Sequence, residues 1–331
     1  MHLRRIQQTG GASYIVTLPK EWVVDNRLKT GDAVVLNVQE DGTILIERQR
    51  GQKSDDRAVV RVEDIQPERM FRKLVSLYMM ARGNVELVTD ERIGPRLRQT
   101  VRSAVRRLIG FEIVEETSNS IIIQDILNPS ELSMPKSFRR MALLSLAMFN
   151  DSMTALRERD GSLAEDVVIR DDEVDRLHWL NCKQFNLLMI EPSLSARMNI
   201  RPLEAVHFRT ASKYLERVAD HGCRIAENVK GIGELGGSSA SNIDALGTDV
   251  AAMLSDSTSA VLRRDFELAN KVIEAMAGVT QARTKILKQI PRYRESAVGL
   301  AYIVESIERV ASYSTDIAEV AIDLNSLGER K

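Results

Sequence analysis

LERVADHGCRIAENV, at residues 215–229, recurs in related form as IERVASYSTDIAEVA at residues 307–321. Both space their apolar residues as one face of a helix does. An offset of 105 residues also pairs earlier positions, Met148 with Met253 and Asp160 with Asp265. Residues 129–331 are therefore predicted to be two copies of a three-helix unit, over 129–232 and 240–331.

Six long helices follow from this pattern. They are predicted at 134–158, 161–190, 198–230, 242–263, 265–289 and 294–326. The Gly- and Ser-rich stretch 231–239 separates the two copies as a flexible connector. The third helices of the two copies repeat at an offset of 92 residues instead of 105. We assign this difference of 13 residues to a longer connection before the third helix of the first copy, around Pro192 and Pro202.

Carboxylates recur at i,i+4 spacing on the third helix of each copy. In the first copy, Glu216 and Asp220 repel one another unless a cation lies nearby. The second copy is more acidic, with Glu305, Glu308, Asp316, Glu319 and Asp323 in one sector of its helix. Further acids on helix two of the first copy, Asp171, Asp172 and Asp175, could complete an oxygen-rich metal site.

An ordinary ion-paired surface explains the same spacing. Lys213 lies one helical turn from Glu216, and Arg224 lies one turn from Asp220. Such pairs would make the carboxylate face a solvated salt-bridge face. Spacing alone leaves both alternatives open.

The first 128 residues follow a different pattern. Residues 1–53 alternate with the period of strands around the Gly10-Gly11 and Asp41-Gly42 turns, with a short helix started by Pro19. So small a unit hardly buries a core alone, which favours a homodimer. Residues 54–128 are predicted to be an α+β domain, with a basic helix (Arg96, Arg98, Arg102, Arg106 and Arg107) that is either solvated or contacts phosphate or nucleic acid.

Composition bounds the protein class. The chain has 331 residues, a net charge of -1 and 28% charged residues, as ordinary soluble proteins do. Its longest apolar run, 141–149, is far shorter than a membrane span, and no signal-peptide core is evident, so we expect a cytoplasmic protein. Cys182 and Cys223 are expected to be reduced. We find no catalytic triad, Cys/His pair or P-loop, and predict no enzyme.

The helical part resembles the PhoU family of phosphate-uptake regulators. The segments that resemble it are LERVADHGCRIAENV (215–229), RDDEVDRL (170–177) and IERVASYSTDIAEVA (307–321). The resemblance implies multinuclear metal sites of Fe, Zn, Mg or Mn on E-x-x-x-D motifs. It implies Glu216 and Asp220 as ligands, with Asp172 and Asp175 contributed by helix two. The second copy has Glu308 at the glutamate position of the motif but Ser312 at the aspartate position. Asp316, one turn further on, could take the place of that aspartate.

The opening segment is similar to the SpoVT/AbrB (MazE-like) DNA-binding domain. The similarity lies in RRIQQTGGASYIVTLPKEWV (4–23), LKTGDAVVL (28–36) and EDGTILI (40–46). It implies a homodimer of interleaved hairpins that binds DNA. The candidate DNA contacts are Arg4, Arg5, Gln7, Thr9, Ser13 and Lys20.

Together these patterns predict a multi-domain, mainly α protein. Its domains would be a small swapped-hairpin β domain (1–53), a middle α+β domain (54–128) and PhoU-like tandem three-helix bundles (129–331). The resemblances imply a DNA-binding, metal-binding regulator of phosphate transport. The alternative is a regulator that binds a phosphate transporter ATPase or phosphate-sensing proteins, in which the β domain only dimerises.

Overall fold

The computed structural model describes residues 3–38, 42–48, 57–63, 65–129, 131–233, 236–290 and 296–328. Backbone contacts divide the chain into two compact units, residues 1–56 and residues 57–331. The middle and C-terminal parts thus share one compact unit. The predicted boundary at residues 53 and 54 lies outside the described residues.

The N-terminal unit consists of two hairpins and a short helix. Its elements are β1 (Gln7–Thr9), β2 (Ser13–Ile15), α1 (Lys20–Asp25), β3 (Val34–Val38) and β4 (Ile44–Arg48). Strand β1 pairs antiparallel with β2, and β3 pairs antiparallel with β4. Gly10, at φ 61°, supplies the left-handed turn of the first hairpin. This order confirms the sequence prediction, although Asp41 of the second turn lies outside the described residues.

The described residues of this unit include no buried side chain. On the second hairpin, Leu36 and Val38 lie on one face with Ile44, and Val38 is 76% exposed. The opposite face is more polar, since the Asn37 amide donates to the Glu47 carboxylate at 3.2 Å. One apolar face is therefore left open to solvent in the single chain.

Residues 57–129 form the predicted α+β fold. Its elements are β5 (Arg57–Arg61), α2 (Pro67–Met79), β6 (Asn84–Val88), α3 (Pro95–Arg107), β7 (Phe111–Glu116) and β8 (Ser120–Asp125). The strand order is β5-β6-β8-β7, with β5 and β6 parallel and the other neighbours antiparallel. Its core lies between the sheet and both helices, with Leu74, Tyr78, Leu87, Val101 and Ile123 among its members.

The remaining chain forms the two predicted three-helix copies. The first contains α4 (Met134–Glu158), α5 (Gly161–Ile190) and α7 (Pro202–Val229), with the short α6 (Leu194–Met198) between α5 and α7. The second contains α8 (Gly237–Arg263), α9 (Phe266–Leu287) and α10 (Ala297–Gly328). A single hydrophobic core runs through both copies. None of the helices in the described ranges is long and apolar enough to cross a membrane.

The turn between the first two helices of each copy repeats in detail. Arg159 and Arg264 both adopt the left-handed conformation at φ 55°. The next residues cap the following helices: the Asp160 carboxylate accepts the Ser162 and Leu163 N–H groups, and the Asp265 carboxylate accepts that of Leu268. The internal repeat is thus a structural one.

The predicted cause of the 13-residue difference between copies is wrong. Helix α5 has 30 residues, whereas its counterpart α9 has 22. Most of the difference therefore lies in a longer second helix, not in the connection that follows it. The extra turns of α5 include Lys183 and Asn186, which contact the α+β part: Lys183 pairs with Asp125 at 2.7 Å, and Asn186 donates to the Met79 carbonyl at 2.7 Å.

Candidate metal centre and nucleic-acid interface

Four carboxylates come together between α5 and α7 in the first copy. Asp171 and Asp175 lie one turn apart on α5, and Glu216 and Asp220 one turn apart on α7. Burial, then the charges of neighbouring carboxylates, raise the pKa of Asp171 to about 6 and that of Asp175 to about 7. Burial and Glu216 likewise raise the pKa of Asp220. These four residues are called the acidic cluster below.

Cations from the same chain already contact this cluster. The Lys213 ammonium lies 2.7 Å from both Glu216 carboxylate oxygens, and an Arg217 guanidinium nitrogen lies 3.1 Å from Asp220. The alternative pairing of Glu216 with Lys213 is therefore confirmed. The expected pairing of Asp220 with Arg224 is wrong, because the Asp220 carboxylate pairs with Arg217 instead.

A third cation comes from the α+β part. Arg107, at the end of α3, lies 2.6 Å from Asp172 and 3.3 Å from Asp175. Its guanidinium also lies over the rings of Phe71 and Trp179, at 5.1 and 5.2 Å from their centroids. Sequence reasoning singled out Arg107 only as part of a basic helix. Its carboxylate partners lie more than 60 residues away in the sequence, and no local spacing connects them to Arg107.

The other arginines of α3 with described partners also form ion pairs. Arg98 and Arg102 both contact Glu116 on β7, and Arg98 donates to the Thr117 and Ser118 carbonyls. Arg96 lies 3.8 Å from Glu68. Arg106 is exposed. The helix therefore mainly fastens the α+β part internally and to α5.

The donor chemistry of the acidic cluster suits a hard divalent cation. Its ligating atoms are all carboxylate oxygens, and the buried Asp171 Oδ1 has no hydrogen-bond partner. In their present positions, no three His, Cys, Asp or Glu side chains of the described ranges converge on a common metal position. A bound metal would therefore replace the Lys213, Arg217 or Arg107 contacts. Asp172, which is 61% exposed, lies at the edge, and Asp171 is the more enclosed neighbour.

The second copy does not bring its predicted ligands together. Glu308 pairs at 2.6 Å with Arg283 of α9, which also contacts Glu305 at 3.1 Å. Asp316 lies eight residues further along α10, about 12 Å along the axis. Burial and Glu319 raise its pKa. A guanidinium thus lies beside Glu308, and Asp316 belongs to a separate region of the helix.

The predicted DNA contacts are all exposed in the N-terminal unit, at Arg4, Arg5, Gln7, Thr9, Ser13 and Lys20. Gln7 and Thr9 lie on one face of β1, and Ser13 of β2 is directly opposite Thr9. These three polar side chains therefore share one face of the first hairpin. Lys20 begins α1, and Arg4 and Arg5 precede β1.

Comparison with known proteins decides the family. The profile of the PhoU domain matches residues 138–229 and 243–321, just over half of the chain. The chain belongs to the PhoU family. The two matched stretches coincide with the two helical copies and leave out the connector between them. The profile described as "Antidote-toxin recognition MazE, bacterial antitoxin" matches residues 7–54. Both resemblances inferred from sequence are thus confirmed.

Curated relatives agree with this membership. Proteins described as "Phosphate-specific transport system accessory protein PhoU homolog" from Caulobacter vibrioides and Clostridium acetobutylicum are 25% identical over 191 residues and 24% over 194. The alignments span 55% and 56% of this PhoU-family chain and 81% and 87% of the relatives. The relative from Pseudomonas aeruginosa is 23% identical, over 53% of this chain and 75% of its own length.

Solved structures show the same fold. The crystal structure of PhoU from Pseudomonas aeruginosa superposes with a TM-score of 0.53 at 21% identity, over 58% of this chain and 94% of that one. The PhoU structure from Streptococcus pneumoniae gives 0.52 at 21% identity, over 59% and 94%. The predicted fold class, with tandem PhoU-like bundles behind a small β unit and an α+β segment, is confirmed.

Proposed function

We propose that this PhoU-family protein is a DNA-binding regulator of phosphate transport. The observation behind the proposal is one chain with both a PhoU repeat pair and a MazE-like unit. The relatives named as accessory proteins of phosphate-specific transport suggest the process. We assign the chain no catalytic step.

A strain lacking the protein tests this assignment. Phosphate uptake and expression of the phosphate-transport genes are measured in high and low phosphate, with the wild-type gene restored as a control. We expect both to lose their response to phosphate. Unchanged uptake and expression would contradict the assignment.

DNA binding is proposed for the face of the first hairpin that carries Gln7, Thr9 and Ser13. Gln7, Thr9 and Ser13 would lie at base edges or phosphates, and the cationic Arg4, Arg5 and Lys20 would contact phosphates. The alternative function needs only dimerisation by this unit and a contact between the helical copies and a transporter ATPase. Loss of the expression response in R4A/R5A, with normal behaviour of the exposed control R27A/K29A, favours DNA binding. A normal response in R4A/R5A favours the alternative.

Homodimerisation is proposed through the open apolar face of the second hairpin. This unit has about 50 residues, and none of its described side chains is buried. Apolar burial within one copy therefore does not offset the conformational entropy lost on folding, and a second copy is the simplest stabilising partner. The apolar face supplies the surface that such a contact would bury.

Metal binding is proposed for the acidic cluster. Asp171, Asp175, Glu216 and Asp220 would hold a divalent cation or iron, which would neutralise their mutual repulsion. Elemental analysis of the purified protein tests this, together with its thermal shift after chelation. We expect bound metal that is lost in E216Q/D220N. Equal metal content in that variant would contradict the assignment, and a loss in E308Q would show that the second copy also contributes.

A further inference from the structure

A polar cleft lies between the third helices of the two copies. It has a volume of about 200 Å³ and opens between α7 and α10. Its lining residues are Arg217, Asp220, His221, Arg224, Glu305, Arg309 and Tyr313. The cleft adjoins the acidic cluster through Asp220 but has a different, arginine-rich wall.

The internal repeat places equivalent residues on both sides of this cleft. At the offset of 92 residues, Arg217 of α7 corresponds to Arg309 of α10, and His221 corresponds to Tyr313. The His221 and Tyr313 rings pack on each other with centroids 5.9 Å apart. The seam between the copies is therefore lined from both sides by a guanidinium and a ring that can hydrogen-bond.

The carboxylates of the cleft do not neutralise all of its arginines. Asp220 pairs with Arg217 at 3.1 Å, and Glu305 pairs at 3.1 Å with Arg283, which is not part of the lining. Among the described residues, neither Arg224 nor Arg309 has a carboxylate within ion-pair distance. The Arg309 guanidinium instead donates to the Tyr313 hydroxyl at 2.7 Å and lies over its ring.

His221 provides an independent sign of a missing ligand. Its side chain is largely enclosed, with 6% of the residue exposed, and its buried Nδ1 has no hydrogen-bond partner among the described residues. Buried polar atoms normally find a partner, because leaving one unpaired forfeits its hydration without compensation. An imidazole Nδ1 that bears hydrogen can donate to an oxyanion.

We propose that this cleft binds a phosphate group, with Arg224 and Arg309 as its cationic contacts and His221 Nδ1 as a neutral donor. Guanidinium groups match the geometry and charge of a phosphate dianion. A cleft of about 200 Å³ is smaller than a typical drug-sized pocket, so it suits inorganic phosphate or the phosphate end of a small ester. This proposal rests on the residues that line the cleft, and it does not require that the protein bind metal or DNA.

Isothermal titration calorimetry on the full-length protein tests the site. Inorganic phosphate and adenosine monophosphate are titrated separately, so that the two arms distinguish the free ion from an ester. We expect saturable binding of one phosphate group per chain, weakened about tenfold by R224Q or R309Q and lost in the double variant. R139Q/R263Q, which removes two exposed arginines elsewhere on the helices, is the charge-matched control and keeps wild-type affinity.

The histidine gives a second, separate readout. H221L removes the donor and weakens binding, whereas H221N keeps a side-chain amide near the Nδ1 position and recovers part of it. Circular dichroism measures whether each variant is folded. If a His221 variant does not fold, R224Q and R309Q still test the site, because both arginines are exposed. Absence of binding in both arms would overturn the proposal. So would an equal loss of affinity in R139Q/R263Q.

Discussion

Arg107 illustrates how much a single side chain can connect. It belongs to the α+β part, contacts Asp172 and Asp175 of α5, and lies over the Phe71 and Trp179 rings. Its positive charge lowers the pKa values of Asp171 and Asp175, against the larger effect of burial. One guanidinium therefore fastens the α+β part to the bundle and partly neutralises the acidic cluster.

Replacing Arg107 tests this double role. We expect R107A to lower the free energy of unfolding by about 1–2 kcal/mol, because it removes charge-assisted contacts that are only partly exposed. R107K keeps the charge but loses the planar stacking, and it should recover part of that loss. Urea denaturation measures the effect, with the exposed neighbour Arg106→Ala as control. Equal stability of R106A and R107A would contradict the role.

The acidic cluster also predicts a pH dependence for metal-free protein. The folded pKa values of Asp171 and Asp175, about 6 and about 7, lie above those of the unfolded chain. Between about pH 4 and pH 7 these two carboxyl groups therefore bind more protons in the folded state than in the unfolded state. Their contribution to stability falls as pH rises through this range. Below about pH 6.5 it is opposed by His178 and His221, because burial lowers the pKa of each to about 4.

Asp175→Asn isolates this contribution. The asparagine side chain cannot ionise, so D175N should be more stable than wild type at pH 8. The contribution of residue 175 to the change in unfolding free energy between pH 5 and pH 8 should be absent. Denaturation curves in the presence of a chelator measure both. The exposed Asp249→Asn is a control that should leave the slope unchanged. A D175N slope identical to that of wild type would contradict the assignment.

Local sequence patterns were enough to predict most of the helices and strands. Apolar periodicity located the helices and strands, and the repeated Arg-Asp at 159–160 and 264–265 marked the turn in both copies. Two features could not be predicted in this way. The longer α5 and the Arg107 contacts both depend on packing between parts distant in sequence, where no spacing rule applies. The partner of Asp220 was wrong for a different reason: Arg217 and Arg224 both lie about one turn from it on α7, so spacing alone could not choose between them.

The repeated helix caps allow a graded test. Asp160 accepts two backbone N–H groups, whereas Asp265 accepts one. We expect D160A to cost about 1–2 kcal/mol of stability and D265A less, about 0.5–1 kcal/mol. Thermal unfolding gives both values, and D249A, an exposed substitution within α8, is the control. A larger loss in D265A than in D160A would count against capping as the cause.

At the scale of the whole molecule, the N-terminal unit should make the protein a dimer. L36K/V38K places two charges on the open apolar face, and we expect its dimer dissociation constant to rise at least about 100-fold. V35K/N37K adds the same charge to the opposite, more polar face and should change it much less. Sedimentation equilibrium measures both. Dimers of equal strength would place the interface elsewhere.

DNA binding by the MazE-like unit is proposed for this PhoU-family chain. Fluorescence anisotropy with a duplex from upstream of the phosphate-transport genes measures it. We predict that binding weakens steeply with salt and that R4A/R5A reduces the affinity at least about tenfold, whereas R27A/K29A keeps it. Absence of binding by the wild-type dimer, or equal affinity for wild type and R4A/R5A, would contradict the claim.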